Sequence, residues 1–349
     1  MSLYRRQRNY GCRIHDQYHY FGMRALVLEN EKLRISLLLD KGSDIYEFLY
    51  KPKDIDLMWL TENGVQNPNS YLSTSADPIA AFIDYYEGGW QEVLPNGGPT
   101  SSFLGAQFGQ HGEVAHMPWD YEILKDEPNE VSVKLMIRTN KIPLLLTKTL
   151  TITSGNNMLS VQENLENIGT CSLRYMWGHH LAYGKPFAQP GCKIVLPERV
   201  QIVTEDSNSS VVAPGRIQRG LVHTWPYAKD RNGNQVDLSI LPEKNTLSDI
   251  VYLTGFGKIG QYALENKSLN LGVRVHWDSE QFPYLWYWQE FGETKEYPWY
   301  GRHYNIGLEP FTSAPTHGLA KAIEHGSAAT IEAGEIKRFN LQIGPYEIR

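Results

Sequence analysis

The chain has 349 residues, of which 41% are hydrophobic and 21% are charged, and its formal net charge at pH 7 is -6. This balance is typical of a globular protein with a large buried core and excludes a mainly disordered chain. No stretch of lysine and arginine is dense enough to neutralise a phosphate backbone, and no apolar run is long enough to cross a bilayer. We therefore expect neither nucleic acid nor a membrane as a partner.

The cysteines and the first residues indicate the compartment. Cys12, Cys171 and Cys192 are an odd number without metal-ligand spacing, which argues against a disulfide framework and against a zinc ribbon. The first residues lead into no hydrophobic segment of the kind that a signal peptide needs. These observations predict a cytoplasmic protein with reduced thiols.

Apolar and polar residues alternate along much of the chain, which is typical of strands with one buried face. The predicted strands cover residues 33–39, 131–137, 144–153, 159–165, 171–177, 269–275 and 339–343. A convincing helical pattern occurs only at residues 319–325, where Gly326 is placed to end the helix. The sequence therefore predicts an all-β protein with large antiparallel sheets and few short helices. No repeat or linker marks a domain boundary within residues 1–349.

Aromatic residues are concentrated between residues 277 and 304. Tyr284, Trp286 and Trp288 alternate there, so on a strand their rings would share one face. The apolar faces of sugar rings stack well on such a surface, but aromatic rings also fill the cores of β-sandwiches. The pattern is compatible with either a carbohydrate site or a core.

Histidines and carboxylates occur in three glycine-containing clusters, at residues 109–116, 177–184 and 307–311. Such groups can exchange protons near neutral pH, and a neighbouring glycine lets the backbone approach a ligand closely. A lone histidine of this kind is more often a hydrogen-bonded structural residue. The spacing along the chain does not show whether the clusters meet in space.

The order of these motifs resembles that of the galactose mutarotase-like aldose 1-epimerases. Residues 88–98 are similar to the Gly-Gly segment of that family and its Pro-polar-Gly turn, and residues 111–115 resemble its His-Gly-Phe-Ala-Arg element. Residues 180–183 stand where the family has a histidine followed by an aromatic residue. Residues 307–310 match its C-terminal glutamate motif.

The resemblance implies a β-supersandwich, with residues 1–349 as a single galactose mutarotase-like, sugar-binding domain. It also implies an isomerase that interconverts sugar anomers by acid and base catalysis, without a metal or another cofactor. His180 would be the acid that protonates the ring oxygen, and Glu309 would be the base that removes the proton of the anomeric hydroxyl. The same motifs place the following residues in the substrate-binding site: His111, Trp90, Asn96, His179, Trp288 and Gln289.

The chain also departs from the family pattern. His116 replaces the arginine of the His-Gly-Phe-Ala-Arg element, which disfavours a phosphorylated hexose. His179 replaces the asparagine that precedes the catalytic histidine, so the choice between His179 and His180 as the acid stays open. The expected partner is a monosaccharide substrate, and a homodimer is also compatible with the sequence.

Two other classes of function stay open. A metal-dependent sugar isomerase would use His111, Glu113 and His116 as ligands, with His179 or His180, because imidazole and carboxylate groups suit Zn, Mn or Fe. A noncatalytic carbohydrate-binding protein would keep the aromatic face but would not need an acid and base pair. Polysaccharide lyases and glycosidases also use this broad fold, and fold alone does not decide function.

Overall fold

The computed structural model describes residues 8–70, 78–206 and 215–348. The described strands, numbered in chain order, are β1 (Arg13–Tyr20), β2 (Met23–Glu29), β3 (Leu33–Leu38), β4 (Asp44–Tyr50), β5 (Ile55–Asp56), β6 (Trp90–Val93), β7 (Ser101–Phe103), β8 (Ala106–Phe108), β9 (Asp120–Glu127), β10 (Glu130–Arg138), β11 (Leu144–Thr153), β12 (Leu159–Asn167), β13 (Leu173–Tyr175), β14 (Gly178–Gly184), β15 (Lys193–Val195), β16 (Gln201–Thr204), β17 (Val222–Thr224), β18 (Tyr227–Lys229), β19 (Gln235–Asp237), β20 (Asp249–Thr254), β21 (Ile259–Asn266), β22 (Leu271–Asp278), β23 (Tyr284–Glu290), β24 (Asn305–Phe311), β25 (Ala329–Ile331) and β26 (Ile336–Glu347). The described α-helices are α1 (Pro78–Ile83) and α2 (Leu319–Glu324), and short 3₁₀ turns lie at Lys51–Lys53, Pro68–Ser70, Val114–His116 and Lys267–Leu269.

Two antiparallel sheets contain most of these strands. A 12-stranded sheet has the order β1-β2-β3-β4-β6-β14-β24-β23-β20-β16-β17, with β5 paired to β4. An 8-stranded sheet has the order β15-β21-β22-β26-β12-β11-β10-β9. Their facing side chains form one hydrophobic cluster that extends along the chain from Cys12 to Ile343. The all-β supersandwich predicted from the sequence is confirmed.

Alternation of side chains explains why these segments form strands. In β11, every second residue from Leu144 is buried and the residues between are half-buried, and β10 and β12 show related patterns. Burying one large aliphatic side chain contributes about 1.5–3 kcal/mol. A shift of one residue in register would turn the whole apolar row to solvent, so the pattern fixes the register as well as the strand.

Strands at the centre of the 12-stranded sheet were harder to predict. Every residue of β14 and of β24 is buried, because both faces of the sheet are covered there. Alternation in burial therefore disappears where the histidine and glutamate motifs lie. The strand predicted at residues 171–177 is also shorter than expected, since only Leu173–Tyr175 pairs as β13.

Helices are a minor component, as the sequence predicts. The expected helix at residues 319–325 is α2, and Gly326 follows it with a φ of 74°. This left-handed backbone is favourable for glycine and ends the helix. Within the described residues, no helix has the length and apolarity required to span a membrane.

Candidate active site

The candidate site lies on the central strands of the 12-stranded sheet. Strands β6, β14, β24 and β23 are neighbours, and their register forms a row of side chains across the sheet. His180 on β14 pairs with Gln91 on β6, while Glu309 on β24 pairs with Trp286 on β23. The register between β14 and β24 sets His180 opposite Glu309. The pairs Gly178–Phe311 and Ala182–Gly307 flank the two groups and hold them on neighbouring strands.

A cavity of about 380 Å³ opens above this row, on the face of the sheet turned away from the 8-stranded sheet. Loops that precede β6 and β24, together with the loop around residue 111, form its walls. The lining residues are Phe82, Ile83, Tyr86, Gly98, Pro99, Gln110, His111, His180, Ile250, Trp286, Trp288, Tyr297, Pro298, Trp299, Glu309 and Thr316. The cavity therefore brings together parts of all three histidine and glutamate clusters.

His180 and Glu309 form a close, buried pair on the cavity floor. The Nε2 atom of His180 lies 3.7 Å from Oε1 of Glu309, and the two residues are 6% and 2% exposed. Burial lowers the pKa of His180 to about 4 and raises the pKa of Glu309 well above its ordinary value. Both shifts arise because an apolar environment disfavours the charged form. Both groups are therefore shifted towards their uncharged forms.

The position of the Glu309 carboxyl depends on Gly307. A Cβ atom at position 307 would collide with Oε1 of Glu309, so the carboxyl occupies space that only glycine leaves free. The first position of the Gly-Leu-Glu-Pro motif therefore needs glycine to leave room for the Glu309 carboxyl. Any larger side chain would displace the carboxyl from His180.

His111 reaches the cavity from a tightly turned loop. Its φ is 58°, and Gly112 follows with a φ of 85° and no room for a Cβ beside the Leu94 carbonyl. The backbone N–H of Gly98 donates to Nδ1 of His111 at 3.3 Å. Burial lowers the pKa of His111 well below its ordinary value, so the ring is neutral and its hydrogen is on Nε2. This N–H can donate to a ligand.

Aromatic rings form most of the remaining wall. The rings of Trp288 and Trp299 are 5.5 Å apart, and Trp288 lies 5.6 Å from His180. Phe82 and Tyr86 stack at 5.2 Å, and the Tyr86 ring lies 6.3 Å from that of Trp299. The lining set of the described chain contains no lysine or arginine. Such a surface suits the apolar face of an uncharged ring.

Four residues expected in the substrate site lie away from this cavity. Side chains alternate between the two faces along β6 and β14, and His180, the residue after His179, faces the cavity. Trp90 and His179 therefore face the 8-stranded sheet. The Nε1–H of Trp90 donates to Nδ1 of His179 at 3.1 Å, and Nε2 of His179 is 3.0 Å from Glu163. Of the two neighbouring histidines, only His180 lines the cavity.

Asn96 and Gln289 are bound to the protein itself. The Asn96 amide donates to the carbonyls of Pro99 and Gly109, and its oxygen accepts from the Leu319 backbone N–H at 2.7 Å. Gln289 accepts from Arg216 at 2.5 Å and is not among the lining residues. Asn96 thus ties loops of the cavity wall together, while His111 and Trp288 of the expected set do line the cavity.

His179 belongs to a group of charged side chains between the sheets, which we call the inter-sheet cluster: Glu92, Lys148, Glu163 and His179. Lys148 lies 3.3 Å from Glu92, and Glu92 also accepts from Trp177 Nε1–H at 2.5 Å. Burial lowers the pKa of His179, but the adjacent Glu92 and Glu163 carboxylates outweigh it and raise that pKa overall. The cluster is internally paired and has no opening to the cavity lining.

The metal set suggested by the sequence is not assembled. Both oxygens of Glu113 accept backbone N–H groups of Asn140 and Lys141, at 3.0 to 3.3 Å. Among residues 8–70, 78–206 and 215–348, the side chains that could jointly hold a metal ion are those of Glu92, Glu163 and His179. His111, Glu113 and His116 form no such group in that part of the chain.

Phe82 and Tyr86 line the cavity but were not expected there from the sequence. Tyr86 contacts His180 directly, with its hydroxyl 3.3 Å from Nδ1. Both residues precede the Gly88-Gly89 turn, so an aromatic pair directly before that motif was the available signal. His180 lies 94 positions from Tyr86 in the chain, and no local pattern could have indicated that contact.

Solved structures with a similar fold include proteins described as galactose mutarotase-like. A Klebsiella pneumoniae protein, provisionally described as an aldose 1-epimerase, is 15% identical and has a TM-score of 0.73, with 97% of this chain and 83% of that chain covered. A galactose mutarotase-like protein from Clostridium acetobutylicum is 13% identical and has a TM-score of 0.65, with 97% and 99% covered. The resemblance to galactose mutarotase-like proteins is confirmed for the fold.

Comparison with curated proteins gives no match. A family model described as a domain of unknown function, DUF4432, matches residues 21–219 and 241–344. Those two segments include the three histidine and glutamate clusters and nearly all strands of both large sheets. The chain belongs to the DUF4432 family.

Proposed function

We propose that this chain is an aldose 1-epimerase-like isomerase that interconverts the anomers of an uncharged monosaccharide without a cofactor. The observation that carries the proposal is the buried pair of His180 and Glu309, 3.7 Å apart on the floor of an aromatic cavity. Opposite pKa shifts in two adjacent groups are typical of acid and base pairs.

In the proposed reaction, Glu309 takes the proton of the anomeric hydroxyl and the C1–O1 bond becomes a carbonyl. The bond between C1 and the ring oxygen breaks at the same time, and the ring oxygen takes a proton from Nε2 of His180. Rotation about C1–C2 and the reverse steps give the other anomer. Both oxygens are bonded to C1, so the acid and base must lie close together, as these two groups do.

The proton inventory of the pair is consistent with this scheme. Burial shifts both groups towards their uncharged forms, and the working pair, a Glu309 carboxylate beside a doubly protonated His180, has the same net charge as the uncharged pair. A base with a raised pKa holds a proton more strongly, which helps it to deprotonate the sugar hydroxyl. The polar sugar stabilises this charge separation better than the aromatic walls alone.

The lining residues support an uncharged substrate. In the described part of the chain they include no lysine or arginine to pair with a phosphate or carboxylate. Trp288 and Trp299 offer faces for ring stacking, while Nε2–H of His111 can donate to a hydroxyl.

We further propose that the chain is one domain. The hydrophobic cluster that both large sheets share supports this proposal.

Glu309→Gln tests the proposal, because it keeps size and hydrogen bonding but removes the base. We expect the rate of anomer exchange to fall by about 10² to 10⁴ while sugar binding largely survives. NMR exchange spectroscopy on a panel of free aldoses, corrected for spontaneous mutarotation, measures the rate. Glu290→Gln is a matched control, because this buried carboxylate bonds Ser248 and Thr294 outside the cavity.

Three outcomes would contradict the proposal. Wild-type exchange by Glu309→Gln would show that Glu309 is not the base. Sugar binding by the wild-type protein without any exchange would favour a noncatalytic binding protein. Exchange that is lost on chelation and restored by Zn²⁺ or Mn²⁺ would favour the metal-dependent isomerase.

A further inference from the structure

Tyr86 contacts the face of the candidate acid that is turned away from the base. It lies between α1 and β6, and its ring is 4% exposed. Its hydroxyl is 3.3 Å from Nδ1 of His180, while Glu309 faces Nε2 of the same ring. The two nitrogens of His180 therefore have different partners.

The surroundings hold Tyr86 in this position. The Thr61 hydroxyl donates to the Tyr86 carbonyl at 3.2 Å, and the Tyr86 ring packs on Phe82 at 5.2 Å and against Trp59 at 6.0 Å. Its ring also meets the His180 ring edge-on at 5.3 Å. Tyr86 thus approaches Nδ1 from a packed wall.

The direction of this hydrogen bond follows from the inventory of donors and acceptors. Burial raises the pKa of Tyr86 well above its ordinary value, so the side chain keeps its hydroxyl hydrogen. In the described part of the chain, the hydrogen-bond partner of that hydroxyl is Nδ1 of His180. Leaving a buried O–H unpaired costs about 1–3 kcal/mol, so the hydroxyl donates and Nδ1 accepts. A neutral imidazole whose Nδ1 accepts carries its hydrogen on Nε2.

We propose that Tyr86 is a positioning residue that holds His180 in the Nε2–H tautomer, with that hydrogen directed towards Glu309 and the cavity. The catalytic meaning rests on the proposed function, in which Nε2 delivers the proton to the ring oxygen. A hydroxyl also suits a histidine that alternates in charge, because it can accept from Nδ1–H once His180 is protonated. A carboxylate could only accept there, and a backbone N–H could only donate.

Nitrogen-15 NMR of histidine-labelled protein tests the tautomer without any need for activity. His180→Asn identifies the signals of His180 by their disappearance. At pH 7 we expect Nε2 of His180 to give the shift of a protonated nitrogen and Nδ1 that of an unprotonated one. In Tyr86→Phe we expect a mixture of tautomers. Protonated Nδ1 in the wild-type protein, or an unchanged tautomer in Tyr86→Phe, would overturn the proposal.

Tyr304→Phe is the matched control. Tyr304 is also buried and its hydroxyl donates to the Pro242 carbonyl at 2.5 Å, but it does not line the cavity. Tyr304→Phe removes one hydrogen bond of a buried hydroxyl, as Tyr86→Phe does, so any general loss of stability appears in both variants. The His180 signals should keep their wild-type shifts in Tyr304→Phe.

Kinetics give the second readout. We expect kcat for anomer exchange to fall about 10-fold to 100-fold in Tyr86→Phe with little change in KM, as for other residues that orient a functional histidine. A rise in KM with unchanged kcat would mean that Tyr86 only shapes the cavity, and would overturn the proposal. If the wild-type protein exchanges no anomers, the proposed function fails, while the NMR experiment still decides the tautomer.

Discussion

His179 and His180 are neighbours on β14 and both are almost wholly buried, but they lie in opposite environments. His180 faces aromatic rings and an uncharged Glu309 carboxyl, and burial lowers its pKa to about 4. On the other face, His179 contacts Glu163 at 3.0 Å and Glu92 at 3.6 Å, and these carboxylates raise its pKa despite burial. One strand thus presents a histidine with a lowered pKa to the cavity and a histidine with a raised pKa to the core.

The difference separates a reactive arrangement from a structural one. Each ionisable group of the inter-sheet cluster has a partner of opposite type, and mutual attraction stabilises their charged forms, while burial and Glu92 raise the pKa of Glu163 to about 7. The His180 pair has no fixed countercharge, and burial disfavours the charged form of both groups. Substitutions on the two faces should therefore affect different measured quantities.

The largest expected effect is on the rate, from His180→Asn. We expect anomer exchange to fall by about 10² to 10⁴, because asparagine cannot act as the acid. In His179→Asn, the free energy of unfolding should fall instead, by about 3–5 kcal/mol, because the buried Glu92 and Glu163 lose their partner. NMR exchange and urea unfolding measure the two quantities. Loss of exchange in fully folded His179→Asn would break the comparison.

The pH dependence of stability should differ in sign between the two histidines. The contribution of His180 to the free energy of unfolding is fully present above its unfolded pKa of 6.5. It is lost as the pH falls through about 4, because His180 gains a proton in the unfolded chain at a higher pH than in the folded protein. For His179, it is fully present below 6.5 and is lost as pH rises through the raised folded pKa.

Urea unfolding at a series of pH values checks these signs. Between pH 6.5 and 4, the free energy of unfolding should fall by about 3 kcal/mol less in His180→Asn than in the wild-type protein. His179→Asn should lack the decline that the wild-type protein shows above pH 6.5. Shifts of the same sign in both variants would contradict the assigned environments.

The smallest expected effects come from the tryptophan beside each histidine. Trp288→Phe reduces the stacking surface next to His180, and we expect KM for the sugar to rise about twofold to fivefold. Trp90→Phe removes the N–H donor to His179 and should lower the free energy of unfolding by about 0.5–1.5 kcal/mol without changing KM. Steady-state exchange rates measure KM, and urea unfolding measures the free energy of unfolding. A raised KM in Trp90→Phe would favour the sequence-based placement of Trp90 in the substrate site.

Much of the fold follows from the sequence, because local patterns report local geometry. The alternation at residues 144–153 coincides with β11, and the helical pattern before Gly326 coincides with α2. The order of the glycine, histidine and glutamate motifs indicates the fold class. Burial on both faces hides β14 and β24 from the same reasoning, since every residue of both strands is buried, the polar ones included, and no alternation appears.

The sequence by itself determined that His179 and His180 adjoin in a glycine-containing cluster, but not that they lie on a strand, where alternation points them to opposite faces. Only the tertiary structure decided which face holds the cavity, since that depends on which loops and which second sheet cover each side. The Tyr86 contact to His180 spans 94 positions, and the row from Gln91 to Trp286 exists only through sheet pairing. Environment, rather than residue type, then sets the opposite pKa shifts, because burial and neighbouring charges act through space.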